Sequence, residues 1–263
     1  MDTVASADGT TIAFDRYGDG PPVIMAVAAF NTRSATDALA RALAPQFTVL
    51  NYDRRGRGDS GDTTPYAVDR EIDDIAALIT AAGGSAAVFG HSSGATLALK
   101  AAAAGLPITK LALYEPPFRT DDSHPGLPAD FPAKLAGLVS EGRRGDAVEL
   151  YQTQAVGIPP DVVAQLRHAP FRPGLEAIAH TLAYDAAIIG DLSLPAGLLA
   201  TVIAPALVIS GENSPLFLRN AARAAAAALP GGRLATLPGQ THDLSPDATA
   251  PVMTEFLAGL TRP

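Results

Sequence analysis

Residues 86–94 read Ala86-Ala87-Val88-Phe89-Gly90-His91-Ser92-Ser93-Gly94. Ala86 to Phe89 is a short, continuous apolar run, the pattern of a strand buried on both faces. Ser93 to Ala104 is rich in Ala and Leu and stops at Gly105 and Pro107, so it predicts a helix. Between them lies the spacing G-x-S-x-G. The letters alone recur by chance, but a strand before and a helix after give them physical content. A tight strand–turn–helix lifts the Ser92 hydroxyl above the sheet. The glycines leave room for the turn, and the helix start offers free backbone N–H groups to a developing oxyanion. The plainer alternative is a Gly-rich turn whose serine caps the helix. Ser93 lacks the central position, so its N–H rather than its hydroxyl is expected to matter. His91 is set aside as a base, because adjacent side chains on a tight turn diverge.

Working outward, Thr10 to Tyr17 alternates apolar and polar residues. Val23 to Ala28, Phe47 to Tyr52, Lys110 to Tyr114, Ala206 to Ser210 and Arg233 to Leu237 are further strand candidates. Helical patterns fall between them at Asp69 to Ala82, Pro215 to Leu229 and Asp247 to Leu260. Strands alternating with helices predict a doubly wound, mostly parallel sheet. The rhythm breaks from Phe118 to about Thr201, which holds no convincing buried strand. Helix-like pieces there are Ala133 to Ser140, Asp146 to Ala155, Asp161 to Ala169 and Gly174 to Asp185. The expected organisation is a core of residues 1–117 and 202–263, with residues 118–201 inserted as a helical cap.

Composition sets outer limits. The chain has 263 residues, 48% of them apolar, enough for one large domain with a sizeable core. Its net charge of −8 is not gathered into blocks, and no basic face points to nucleic acid. There is no cysteine, which excludes disulfides and thiolate chemistry. The start, Met1 to Gly9, lacks the basic and apolar segments of a signal peptide, and no apolar run is long enough for a bilayer. A cytoplasmic location without membrane partners is the expectation; the oligomeric state is left open.

A serine hydroxyl needs a general base to attack a carbonyl. His124, His168 and His180 lie in the inserted region. His242 follows the last strand candidate, and loops at the carboxyl ends of parallel strands converge on one crevice. His242 is therefore the expected base. Glu115 stands between an apolar strand and Pro116-Pro117, where a carboxylate is costly to bury without a partner. His242 would be that partner. Glu212 and Asp243 are the competing carboxylates.

Tyr52-Asp53-Arg54-Arg55-Gly56-Arg57-Gly58-Asp59-Ser60 resembles the D-x-R-G-x-G-x-S turn of the α/β-hydrolase superfamily. With the Ser92 motif and His242, the resemblance covers nearly the whole chain. Arg57-Gly58-Asp59 is then a structural turn rather than an adhesion motif. The resemblance implies an α/β-hydrolase fold with its cap after the sixth strand. It implies an oxyanion hole made by the backbone N–H of Ser93 and one from Ala28-Ala29-Phe30-Asn31, where position favours Phe30. Asn31 would add a side-chain donor or cap a helix. Most of the superfamily carries its triad acid after the seventh strand, and here Ser214 stands at that place. Some members, zearalenone-type lactone hydrolases among them, move the acid to the position of Glu115; the elbow Ser92-Ser93-Gly94 is similar to theirs.

The expected function is hydrolysis of a medium-sized, hydrophobic carboxylic ester or lactone by Ser92, His242 and Glu115, with no metal or other cofactor. The same triad would serve a perhydrolase, a cofactor-free haloperoxidase, or a biosynthetic thioesterase or cyclase. A non-catalytic ligand-binding protein is the alternative of a different class, favoured by Ser214 and opposed by the Ser92–His242 pair.

Overall fold

The apolar runs form the inner strands of an eight-stranded sheet in the computed structural model, which describes residues 1–259. The strands are β1 (Asp2–Ala5), β2 (Thr11–Tyr17), β3 (Pro22–Ala26), β4 (Thr48–Tyr52), β5 (Ala86–His91), β6 (Ile108–Tyr114), β7 (Ala206–Gly211) and β8 (Gly232–Leu237). Their spatial order is β1-β2-β4-β3-β5-β6-β7-β8. The first two pairings, β1 with β2 and β2 with β4, are antiparallel, and all others are parallel.

Both faces of the inner parallel strands, β3 to β7, are largely buried, which explains the unbroken apolar runs, whereas the edge strand β8 is mostly exposed. Val23, Met25, Val49, Phe89, Ala112 and Ile209 face one side. There they pack on Leu39 and Leu43 of α1 (Asp37–Leu43) and on Met253 and Phe256 of the C-terminal helix (Pro246–Ala258). The alternate residues Ile24, Leu50, Val88, Leu111, Leu113 and Val208 face the other side, with α2 (Val68–Ala81) and α3 (Ser93–Ala103). Six short helices follow between β6 and β7: α4 (Phe131–Ser140), α5 (Arg144–Gln154), α6 (Pro160–Gln165), α7 (Arg172–Ala177), α8 (Leu182–Ile189) and α9 (Ala196–Leu199). Among the described residues, the only strand-like feature of this stretch is an isolated bridge between Arg119 and Ser193. After β7 come α10 (Leu216–Ala228), β8 and the C-terminal helix, α11.

Some boundaries differ from the sequence reading. The polar start contains β1, an edge strand too exposed to carry a buried-face pattern. α1 and the 3₁₀ turn before it, Arg33–Thr36, lie in a stretch that had no reading. The expected strand Val23 to Ala28 stops at Ala26, and its last two residues turn toward the crevice. The expected helix Gly174 to Asp185 is broken into α7, a 3₁₀ turn at Ala179–Thr181, and α8. The last helix ends at Ala258; Leu260, its expected end, lies outside the described residues. No described helix is long and apolar enough to cross a membrane.

Candidate active site

The strand register brings the key residues to one level. His91 lies opposite Tyr114, and Tyr114 opposite Ile209. One residue further on, the Ser92 N–H donates to the Tyr114 carbonyl at 2.9 Å and the Glu115 N–H to the Ile209 carbonyl at 3.0 Å. Ser92 and Glu115 therefore leave neighbouring strands side by side.

Both leave with φ positive, +55° at Ser92 and +47° at Glu115. Such a backbone is unfavourable for residues other than glycine and persists only where the surroundings impose it. At Ser92 the glycines on either side make it possible. A Cβ on Gly90 would stand 2.3 Å from the Gly94 carbonyl oxygen; one on Gly94 would stand 2.3 Å from that of Ala26. The helix start thus sits hard against the end of β3. The Ser92 hydroxyl is half-buried and makes no hydrogen bond among the described residues.

Glu115 is completely buried. Its Oε1 accepts the Gly211 N–H at 2.8 Å and the Ser210 hydroxyl at 3.0 Å. Its Oε2 accepts from His242 Nδ1 at 2.6 Å. Burial pushes the carboxyl up, but His242, the nearby Ser214 hydroxyl and the Gly211 N–H outweigh it and hold the group below its ordinary value. Ser214 faces the same carboxylate from above Gly211, without a hydrogen bond of regular geometry. The rival carboxylates are elsewhere: Glu212 is exposed and accepts the Gly239 N–H at 2.8 Å, and the exposed Asp243 is not bonded to His242.

His91 is buried under His242. Its Nε2–H donates to the His242 carbonyl at 3.0 Å, and the two rings lie 4.8 Å apart. Burial, and then the neighbouring His242, push its imidazole down to about 3, so the ring is neutral. The Tyr114 hydroxyl donates to the Thr241 carbonyl at 2.7 Å. Consecutive carbonyls of the His242 loop are therefore tethered to the ends of β5 and β6. Through this bond His91 anchors the loop that carries His242, a contact not evident from its place next to Ser92.

A cavity of about 220 Å³ opens over Ser92 and His242. Ala28, Ala29, Phe30 and Asn31 line one side; Tyr151, Ala155, Val156 and Ile189 of the insertion line another, and Phe217 and Leu218 of α10 complete it. Phe30 has φ +63° and packs edge-on against Tyr151. The Asn31 carboxamide donates to the Ala29 carbonyl at 3.1 Å, and Thr32, not Asn31, stands at the cap of the 3₁₀ turn that follows. Among the described residues, no lysine or arginine lines this cavity. His124, His168 and His180 do not line it either.

Beneath the elbow is an ionic cluster that the sequence reading missed. Arg54 and Arg57 are buried and both pair with the buried Asp185 of α8. Asp185 also accepts the Ser93 hydroxyl at 2.7 Å. Burial pushes its carboxyl up, and the two arginines more than reverse this. A signal existed: Asp185 is the one charge in the otherwise apolar run Leu182 to Ile189, where a carboxylate needs a partner. With Arg57 buried, the Arg57-Gly58-Asp59 stretch is a turn whose Gly58 packs on Asp53.

Residues 26–252 match the alpha/beta hydrolase family. The crystal structure of an alpha/beta hydrolase from Sphaerobacter thermophilus is 55% identical, covering 97% of this chain and all of that one, with a TM-score of 0.92. The 2-(acetamidomethylene)succinate hydrolase of Mesorhizobium japonicum is 28% identical over 260 residues, 94% of this chain and 91% of its own length. The N-formylmaleamate deformylase of Pseudomonas putida is 35% identical over 144 residues, 53% of this chain and 52% of its own.

Proposed function

Since the chain belongs to the alpha/beta hydrolase family, we propose that it is a serine hydrolase cleaving carboxylic esters or lactones of a neutral, hydrophobic, small to medium-sized substrate. The observation that carries the reading is the 2.6 Å bond from His242 Nδ1 to the buried Glu115 carboxylate, in a cavity shared with Ser92. With Nδ1 committed to Glu115, the other ring nitrogen is free to accept the Ser92 proton. The Ser92 oxygen then adds to the substrate carbonyl carbon. The oxyanion is held by the N–H groups of Ser93 and Phe30, and Glu115 stabilises the imidazolium. His242 returns the proton to the leaving alkoxide, giving an acyl-enzyme. Water, deprotonated by His242, releases the acid and restores Ser92.

The lining argues for a neutral substrate. The succinate and maleamate named for the two curated relatives carry carboxylates. A carboxylate in this cavity would meet no lysine or arginine among the described residues and would face Asp243. Apolar side chains with a few convergent polar groups suit an aliphatic or aromatic acyl group instead.

A panel of p-nitrophenyl esters from acetate to octanoate, with aryl lactones and a succinate monoester, tests this. Turnover of neutral esters that falls at least about 10³-fold in Ser92→Ala is expected. Ser92→Ala with near-normal turnover and an unchanged circular dichroism spectrum would remove the nucleophile. Preference for the succinate monoester would remove the neutral-substrate reading. No turnover with any member would favour a binding protein.

A further inference from the structure

We infer that Arg57 and Asp185 are positioning residues for the oxyanion hole, holding through one buried ion pair both residues proposed to supply its N–H groups. The inference rests on the function proposed above. Arg57 Nη1 donates to the Ala28 carbonyl at 2.7 Å and to the Asn31 carbonyl at 3.2 Å, on either side of Phe30. Phe30 has φ +63°, a backbone that must be held from outside. Arg57 Nη2 pairs with Asp185 Oδ2, and Asp185 Oδ1 accepts the Ser93 hydroxyl at 2.7 Å. Arg54 donates to the same Oδ1 at 2.7 Å and to the Val27 carbonyl at 3.3 Å, and its other nitrogens pair with Glu71. The loop from Val27 to Asn31 and the first residue of α3 are thus fastened to one carboxylate, which α8 delivers from the insertion.

Stability alone does not explain this arrangement. Arg54, Arg57, Glu71 and Asp185 are each 1% exposed or less. Burying four charges costs desolvation that their attraction only roughly offsets, and apolar residues of similar volume usually do as well. What apolar residues cannot do is aim donors at two chosen carbonyls while accepting from Ser93. The insertion therefore does more than cover the cavity: its α8 carboxylate sets the geometry in which the oxyanion is bound.

The test compares Asp185→Asn, Arg57→Lys and a control, Asp74→Asn. Asp74 pairs with Arg55 in an equally buried bridge from the same turn, but Arg55 bonds Asp8 and the Arg70 carbonyl, away from the loop. Readouts are kcat and KM for p-nitrophenyl butyrate, inhibition by an aliphatic trifluoromethyl ketone, and the melting temperature. The hemiketal oxyanion of that inhibitor needs the same N–H groups as the transition state. Losing one oxyanion donor outright costs about 10²–10³ in kcat. Displacing the donors is expected to cost roughly 10–100-fold, with KM within about threefold and inhibition weakened in parallel. Arg57→Lys, which keeps the charge but loses the fork, should show the same split and stands in if Asp185→Asn does not fold. Asp74→Asn should melt earlier with kcat within about twofold. The inference is overturned if Asp185→Asn and Arg57→Lys fold and keep kcat within about twofold, or if Asp74→Asn loses as much kcat as they do. If the unaltered protein turns over esters and depends on Ser92, such a result defeats this inference alone. If it turns over none, both readings fall.

Discussion

Replacing Glu115 by glutamine removes the negative charge beside His242 Nδ1 while keeping the side chain's shape. It also offers Nδ1 an amide that can present either its oxygen or its NH₂. Losing the triad carboxylate in a serine protease costs about 10⁴ in turnover, so Glu115→Gln is expected to be nearly inactive on p-nitrophenyl butyrate. Glu212→Gln, at an exposed site where the carboxylate accepts the Gly239 N–H, should stay close to normal. The reverse pattern would assign the acid to Glu212. His91 offers a test by pH. Its imidazole is held down to about 3 in the folded protein, whereas an unfolded histidine protonates near 6.5. Across that window the unfolded chain binds the extra proton. The stability is therefore fully present above about 6.5 and is lost as pH falls toward 3. Melting temperature plotted against pH between about 6.5 and 4 should be flatter for His91→Gln than for the unaltered protein. Parallel curves would contradict the buried, neutral assignment.

At the scale of the element, the elbow depends on two glycines that permit close approach more than they permit positive φ. A Cβ on Gly94 would meet the Ala26 carbonyl oxygen at 2.3 Å and that of Val27 at 2.6 Å, both backbone atoms with little freedom. Gly94→Ala is expected to cost about 1–3 kcal/mol or more, lowering the melting temperature by roughly 2–4 °C per kcal/mol in a chain of this size. Because the displaced backbone leads into the loop bearing Phe30, activity should fall as well. Normal melting and normal turnover would show that α3 and β3 have room to separate. The strand–turn–helix was legible because every residue from Ala86 to Ser93 bears on it. β1 was not legible, since an exposed edge strand has no apolar face to betray it. The break within the expected helix Gly174 to Asp185 was missed for a related reason. Apolar spacing runs through Ile178 and Leu182, but at the 3₁₀ turn between them the Thr181 hydroxyl donates to the Ile178 carbonyl at 2.8 Å and accepts from the distant Arg57 Nε at 3.1 Å.

In the whole molecule, the proposed function draws chemistry and selectivity from different parts of the chain. The ends of β3, β5 and β6 and the loop after β8 carry the groups proposed to react. Val156 and Ile189 of the insertion, with Phe217 of α10, close the cavity. Ile189→Ala should raise kcat/KM for octanoate relative to acetate esters without lowering turnover of the acetate. An unchanged chain-length profile would mean that the insertion does not shape the substrate's site. Ser92, Glu115 and His242 were legible because parallel strands deliver their carboxyl ends to one crevice, so position along the chain implies position in space. The apolar run around Asp185 signals that it needs a partner, but not that the partner is Ser93, 92 residues away and across a stretch that no strand pairing places. The most direct test of the account is covalent. After reaction with a fluorophosphonate, peptide mass spectrometry is expected to find a single adduct on Ser92, absent from Ser92→Ala. An adduct on Ser93, or no adduct on a folded protein, would contradict it.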